Sequence, residues 1–205
     1  GIAGSKRMSL AAGAIALPAW RAEYQGGTEA VDLARFAEHL HSSHVPHAVI
    51  IDCSASAEVA DRYADWLAAG IHVVTPNKKA NSAQYGYFER LREARQSGSA
   101  HYLYEATVGA GLPIIQTLRD LRETGDEIHR IEGIFSGTLA YLFNTWDGSQ
   151  PFSTVVRAAK SMGYTEPDPR DDLSGMDVAR TLIILGREMG LKLELSDVEV
   201  ESLVP

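Results

Sequence analysis

Five carboxylates stand within twelve residues of this 205-residue chain: Glu166, Asp168, Asp171, Asp172 and Asp177. They lie in the stretch Gly163-Tyr-Thr-Glu-Pro-Asp-Pro-Arg-Asp-Asp-Leu-Ser-Gly-Met-Asp177. Pro167 and Pro169 argue against helix there and impose extended or turn backbone on the residues before them. Ser174 then reads as an N-cap, and Met176, Val178, Leu182, Ile183 and Leu185 set a helical apolar period running to about Gly190. Asp177 falls in the first turn of that helix, where the dipole favours negative charge, and position 181 shares its face one turn later. A stiff acidic loop feeding a helix in this way can aim carboxylates at one point. That suits binding of an ammonium group, orientation of a proton donor, or coordination of a hard cation. A calcium loop of the EF-hand kind is excluded: counting from Asp168, the twelfth position is Ala179 rather than Glu, and the second is Pro169. A merely solvated acidic loop is the alternative that composition allows.

The elements upstream must supply whatever those carboxylates act with. His47–Asp52, Ile71–Thr75 and Ala100–Glu105 are short β-branched or apolar runs that read as buried strands. Between and after them the spacing predicts helices over Glu58–Ala69, Ala83–Gln96 and Leu112–Thr124, with a further helix over Thr28–His41 capped by Thr28. Gly4–Gly27 reads as loop with one short helical piece. Strands and helices alternating at this spacing indicate an α/β fold with a doubly wound parallel sheet, whose ligands sit beyond the carboxyl ends of the strands. Three strand ends follow: Asp52-Cys-Ser-Ala-Ser56, Thr75-Pro-Asn-Lys-Lys79 and Glu105-Ala-Thr-Val-Gly-Ala-Gly111. After Gly125 the pattern changes. A strand is expected over Glu127–Phe135, a short helix over Ser136–Phe143 and another over Phe152–Met162.

Composition narrows the partners. The chain is 45% hydrophobic and 22% charged with a net charge of −8, which disfavours nucleic acid. No 18-residue apolar run is present to cross a membrane. The single cysteine, Cys53, cannot form an internal disulfide, is expected to be buried rather than reactive, and suits a cytoplasmic protein. Lys6-Arg7 followed by Leu10–Trp20 resembles a signal peptide, but Gly13 and Pro18 interrupt the apolar part. The dinucleotide fingerprint is missing. Gly109-Ala-Gly111 has Ile114 where a third glycine belongs and follows the third strand rather than the first.

Four blocks carry a resemblance: Thr75-Pro-Asn-Lys-Lys-Ala80, Glu105-Ala-Thr-Val-Gly-Ala-Gly-Leu-Pro113, Gly133-Ile-Phe-Ser-Gly-Thr-Leu139, and Ala159 through Asp177. In them the chain resembles homoserine dehydrogenases, most closely the dehydrogenase half of bifunctional aspartokinase–homoserine dehydrogenases. The resemblance implies a partial Rossmann-type NAD(P)-binding domain over residues 1–112, its first strand and glycine loop lying upstream. Part of an α+β catalytic and dimerisation domain would follow over residues 113–205. It implies NADP- or NAD-dependent interconversion of aspartate semialdehyde and homoserine, in threonine and methionine biosynthesis, by a cytoplasmic homo-oligomer. Lys6 and Arg7 lean towards the 2′-phosphate of NADP.

The same resemblance distributes roles. Ser54, Ala55, Ser56, Asn77 and Lys79 would line the cofactor. Glu166 and Asp172, with Gly137 and Thr138, would hold the substrate. Asp177 and Lys79 would serve the reacting oxygen, and Glu105, Val108, Ala110 and Leu112 would bind a monovalent cation such as Na+. One position departs from the family motif. Thr181 stands where the family places its proton-donor lysine, and a threonine hydroxyl is neither acidic near neutral pH nor charged. A second expectation therefore stands beside the enzyme: a dehydrogenase-like module that binds substrate or a partner without turnover.

Overall fold

The computed structural model describes residues 1–40, 46–97, 100–166 and 168–204. Its N-terminal part is a small antiparallel sheet of β1 (Ile2–Ala3), β2 (Arg7–Ser9) and β3 (Glu29–Ala30), with α1 (Trp20–Gly26) between β2 and β3. The helix expected from Thr28 starts later, as α2 (Leu33–Glu38). Residues 29–30 are taken up in pairing with β2, and the Asp32 carboxylate, not Thr28, accepts the Arg35 N–H at 3.0 Å. The expected end of that helix at His41 lies outside the described residues.

β4 (Ala48–Ile51), β5 (Ile71–Val74) and β6 (Tyr102–Leu103) form the expected parallel sheet, in that order. Ile50, Ile71, Val73 and Tyr102 point to one face and are buried there. The helices that cover them are α4 (Tyr63–Ala68) and α5 (Tyr85–Ser97). The helix expected over residues 58–69 is broken in two, because α3 (Ala57–Ala60), capped by Ser56, stops before α4 begins. α6 (Ile114–Glu123) follows β6 and adds Ile115 and Leu118 to the same core.

α7 (Gly137–Thr145), α8 (Phe152–Ser161) and α9 (Pro169–Leu173) pack around a second, smaller core of Leu142, Val155 and Ala159. Three expectations fail here for physical reasons. Residues 127–135 form no strand among the described residues, since their alternating pattern finds no neighbour to pair with. The acidic stretch is partly helical after all. Pro169 sits at the first position of α9, where its missing N–H is no loss, and Asp168 caps the turn through the Arg170 N–H at 3.0 Å. Pro167 itself lies outside the described residues. Ser174 ends α9 instead of starting the next helix, and Gly175 makes the break with φ of 74°.

α10 (Met176–Glu188) then returns to the parallel sheet, and its Ile184 and Leu185 enter the main core. Its last turn is fixed by Arg187, only 3% exposed. This guanidinium donates to the carbonyls of Asn81 (2.7 Å), Ala83 (2.7 Å) and Leu193 (2.7 and 3.1 Å), and lies over the rings of Tyr85 and Phe88. Replacing Arg187 by leucine strands three carbonyls without their donor, and each such loss costs about 1 kcal/mol or more. Urea unfolding of Arg187→Leu should show a loss of about 3 kcal/mol, only partly recovered by Arg187→Lys, whose ammonium lacks the fork. A loss below 1 kcal/mol would contradict this role.

Candidate functional site

The carboxyl ends of β4 and β5 are locked together by buried polar groups. Asp52, 6% exposed, accepts hydrogen bonds from the Tyr63 hydroxyl, the Ser54 N–H (2.8 Å) and Asn77 Nδ2 (3.1 Å). Thr75 Oγ1 donates to the Asp52 carbonyl (3.0 Å) and accepts from the Asn77 N–H (2.9 Å), while Asn77 Nδ2 also reaches the Ser56 carbonyl (2.9 Å). Burial and the bond to Asp52 push the Tyr63 hydroxyl far above its ordinary pKa, so it remains a neutral donor. Of the residues assigned to the cofactor, Ser54 and Ala55 are exposed above this lock. Ser56 caps α3 by accepting the Val59 N–H, and Asn77 is buried within the lock. Cys53 is exposed, contrary to expectation, because β4 alternates and its buried face at that end is given to Asp52.

Asn77 Oδ1 accepts the Lys79 N–H at 3.1 Å and so fixes the turn into the two lysines. It is Lys78 and not Lys79 that meets Asp177 at the start of α10. Lys78 Nζ bonds both oxygens of Asp177, at 2.8 and 2.9 Å, whereas the Lys79 ammonium has no hydrogen-bonded or ionic partner among the described residues. The contact continues along α10. Arg180 Nη1 donates to Ser82 Oγ at 3.0 Å, and Arg187 holds Asn81 and Ala83. Positions 177, 180 and 187 share one helix face, so the segment 78–83 is fastened along α10. Thr181 is 3% exposed, and its hydroxyl donates to the Asp177 carbonyl at 3.0 Å. That hydroxyl is spent on its own helix.

The substrate candidates converge at a second point. Thr138, in the first turn of α7 after Gly137, donates to Asp172 Oδ1 at 2.8 Å, and Asp172 Oδ2 accepts the Glu166 N–H at 2.9 Å. Asp172 thereby ties the acidic loop to α7, while the Glu166 residue stays exposed. The Arg170 guanidinium and N–H lower the Asp168 pKa to about 2. The four cation candidates are less free than their spacing implies. The Glu105 carboxylate accepts the N–H groups of Ile115 (2.8 Å) and Gln116 (3.0 Å) at the start of α6, and the Leu112 carbonyl accepts the Ile114 N–H at 2.9 Å. Val108 is buried, and Ala110 has a φ of 52°, uncommon for a residue with a side chain. No cluster of three or more His, Cys, Asp or Glu suited to a metal occurs among the described residues.

Two family models match nearly the whole chain: homoserine dehydrogenase, NAD binding domain, over residues 4–105, and homoserine dehydrogenase over residues 113–204. The chain belongs to the homoserine dehydrogenase family. Bifunctional aspartokinase/homoserine dehydrogenase 2, chloroplastic, of Zea mays is 56% identical across all of this chain, which spans 22% of that relative's length. Among solved structures, a putative homoserine dehydrogenase from Archaeoglobus fulgidus is 29% identical with a TM-score of 0.78, over 97% of this chain and 61% of its own. A hyperthermophilic archaeal homoserine dehydrogenase in complex with NADPH is also 29% identical, with a TM-score of 0.61 over 69% of this chain and 43% of its own. Within this homoserine dehydrogenase fold the pairing of Lys78 with Asp177 is not visible in the sequence, since two adjacent lysines after a strand cannot be told apart without the backbone. Nor is the Asp52–Tyr63–Thr75 lock, whose members are 23 residues apart at the extremes.

The depressed Asp168 pKa gives a direct check. Its cap on α9 is in place above the ordinary carboxyl value of 3.8 and is lost as pH falls through about 2. Carboxyl-carbon NMR should find the Asp168 midpoint near pH 2 in the wild type and closer to 3.8 in Arg170→Gln. An unchanged midpoint would show that Arg170 is not the cause.

Proposed function

We propose that this chain forms part of a homoserine dehydrogenase that interconverts aspartate semialdehyde and homoserine with NAD(P)H. The observation that carries the reading is the Lys78–Asp177 ion pair, which sets an ammonium beside the first turn of α10 at the carboxyl end of β5. The exposed Ser54 and Ala55 at the neighbouring strand end offer an open shelf for a dinucleotide, held rigid by Asp52 and Asn77. The nicotinamide supplies the hydride when bound. The protein has three tasks left. The exposed Glu166 carboxylate takes the substrate ammonium, with Asp172, Gly137 and Thr138 fixing the loop that presents it. Lys78 Nζ faces the aldehyde oxygen, lowers the energy of the negative charge that grows there, and gives it a proton. Asp177 holds Nζ in place.

Lys79, to which the resemblance gives both roles, is proposed to keep only the one at the cofactor. Thr181 is proposed to have no proton to give, since its hydroxyl is committed to the Asp177 carbonyl. The reading of a module without turnover rested on Thr181 and on the missing glycine loop, and a cation beside Asp177 weakens the first of these. A monovalent cation at Val108 and Ala110, with Glu105 and Leu112, is proposed on the left-handed backbone of Ala110, which needs some compensation. Homo-oligomerisation is proposed on the exposed Ile134, Phe143 and Trp146, and a cytoplasmic setting on the free, exposed Cys53.

The test is the semialdehyde-dependent rate of NADPH loss in the full-length protein. Lys78→Gln should lower kcat by about 10²–10⁴-fold, the worth of general acid catalysis, while Lys79→Gln should cost less than about tenfold. The reverse order would return the proton donor to Lys79. No semialdehyde-dependent rate in the wild type would overturn the enzyme reading.

A further inference from the structure

A concentration of positive charge lies far from this site. Arg92 and Arg95 of α5, Arg119 and Arg122 of α6, and Arg187 of α10 line one cleft of about 460 Å³, opposed there by Glu123 and Glu188 alone. The lining is thus net positive in a chain whose net charge is −8. Eleven residues of α10 separate Asp177 from Glu188, about 16 Å along the helix axis. The cleft therefore occupies the opposite end of α10 from Lys78 and Asp177.

The local structure accounts for part of this charge. Glu188 accepts from the Tyr104 hydroxyl and from Arg119 Nε (3.2 Å), and its carbonyl accepts from Arg122. Arg187 is occupied by the carbonyls it holds. Arg95, Arg122 and Arg187 each sit in the last turn of a helix, where the dipole favours a cation. A remainder is unexplained. Neither Arg92 nor Arg95 forms an ion pair among the described residues, and Arg119 Nη2 is buried without any hydrogen-bond partner. A buried guanidinium donor left unpaired is costly, and three planar forks around one cleft match the oxygens of an oxyanion. The volume is that of a small-molecule site.

We propose that this cleft binds a phosphate-bearing small molecule, with Arg92 and Arg95 as the principal ligands and Arg119 and Arg122 as the floor. This site is independent of the dehydrogenase reading, and either can fail without the other. Calorimetric titration of the full-length protein with inorganic pyrophosphate, at fixed ionic strength and with NADPH saturating, tests it. One saturable site is expected, weakened about tenfold or more by Arg92→Gln and by Arg95→Gln, since each removes a charge-assisted hydrogen bond. Both residues are exposed on α5, so neither change should alter the melting temperature by more than a few degrees. Arg157→Gln, an exposed change on α8, should leave binding unaltered. Absence of saturable binding, or equal weakening by Arg157→Gln, would overturn the site, and tighter binding of citrate than of pyrophosphate would overturn its phosphate character.

Discussion

The fastening of α10 along residues 78–83 is the contact on which the arrangement of this molecule depends. Arg187 anchors one end by filling the carbonyls of Asn81 and Ala83, Arg180 reaches Ser82 in the middle, and Asp177 meets Lys78 at the other end. The energies are unequal. The buried Arg187 serves three buried or partly buried carbonyls, whereas the Lys78–Asp177 pair, with the Asp177 side chain 58% exposed, contributes about 1 kcal/mol or less to stability. Stability thus resides at the end remote from the candidate chemistry. The charged pair at the near end is free to serve a reaction, because the fold does not rely on it.

This division explains how Thr181 is tolerated in a homoserine dehydrogenase fold. Its position is buried, and a threonine there returns its hydroxyl to the preceding turn without needing any external partner. In the function proposed for this chain, the positive charge beside Asp177 comes from Lys78 in the turn after β5. The lock of Asp52, Tyr63, Thr75 and Asn77 makes that possible. It is buried, closely hydrogen-bonded and continuous with the backbone of Lys79, so the direction in which the lysines leave the strand is set by the core.

Much of this was legible in the sequence, and the failures have identifiable causes. The parallel strands and α4, α5, α6 and α10 followed from apolar period and length, because each buries a face that its own sequence marks. The turn at Pro169 is not legible from the rule that proline breaks helices, because at a first helical position with an Asp before it proline starts one. The strand expected over residues 127–135 has the right alternation, but alternation does not specify a neighbour. Lys78 could not be chosen over Lys79 because one residue reverses the direction of a side chain, and only Asn77 Oδ1 holding the Lys79 N–H decides it. Asp52 looked like the polar end of a strand, and nothing local shows that Tyr63, eleven residues on, would bury against it.

If Lys78 and Asp177 act as one unit on the reacting oxygen, their contributions cannot add. A double-mutant cycle on kcat/KM for semialdehyde reduction by the full-length protein, using Lys78→Met, Asp177→Asn and the pair together, measures this directly. Each single change should cost about 10²-fold or more, and the double variant should be no slower than the slower single within about threefold. Losses that multiply, with the double variant about 10⁴-fold down, would mean that the two groups act separately and that the fastened end of α10 is not where the proton is delivered.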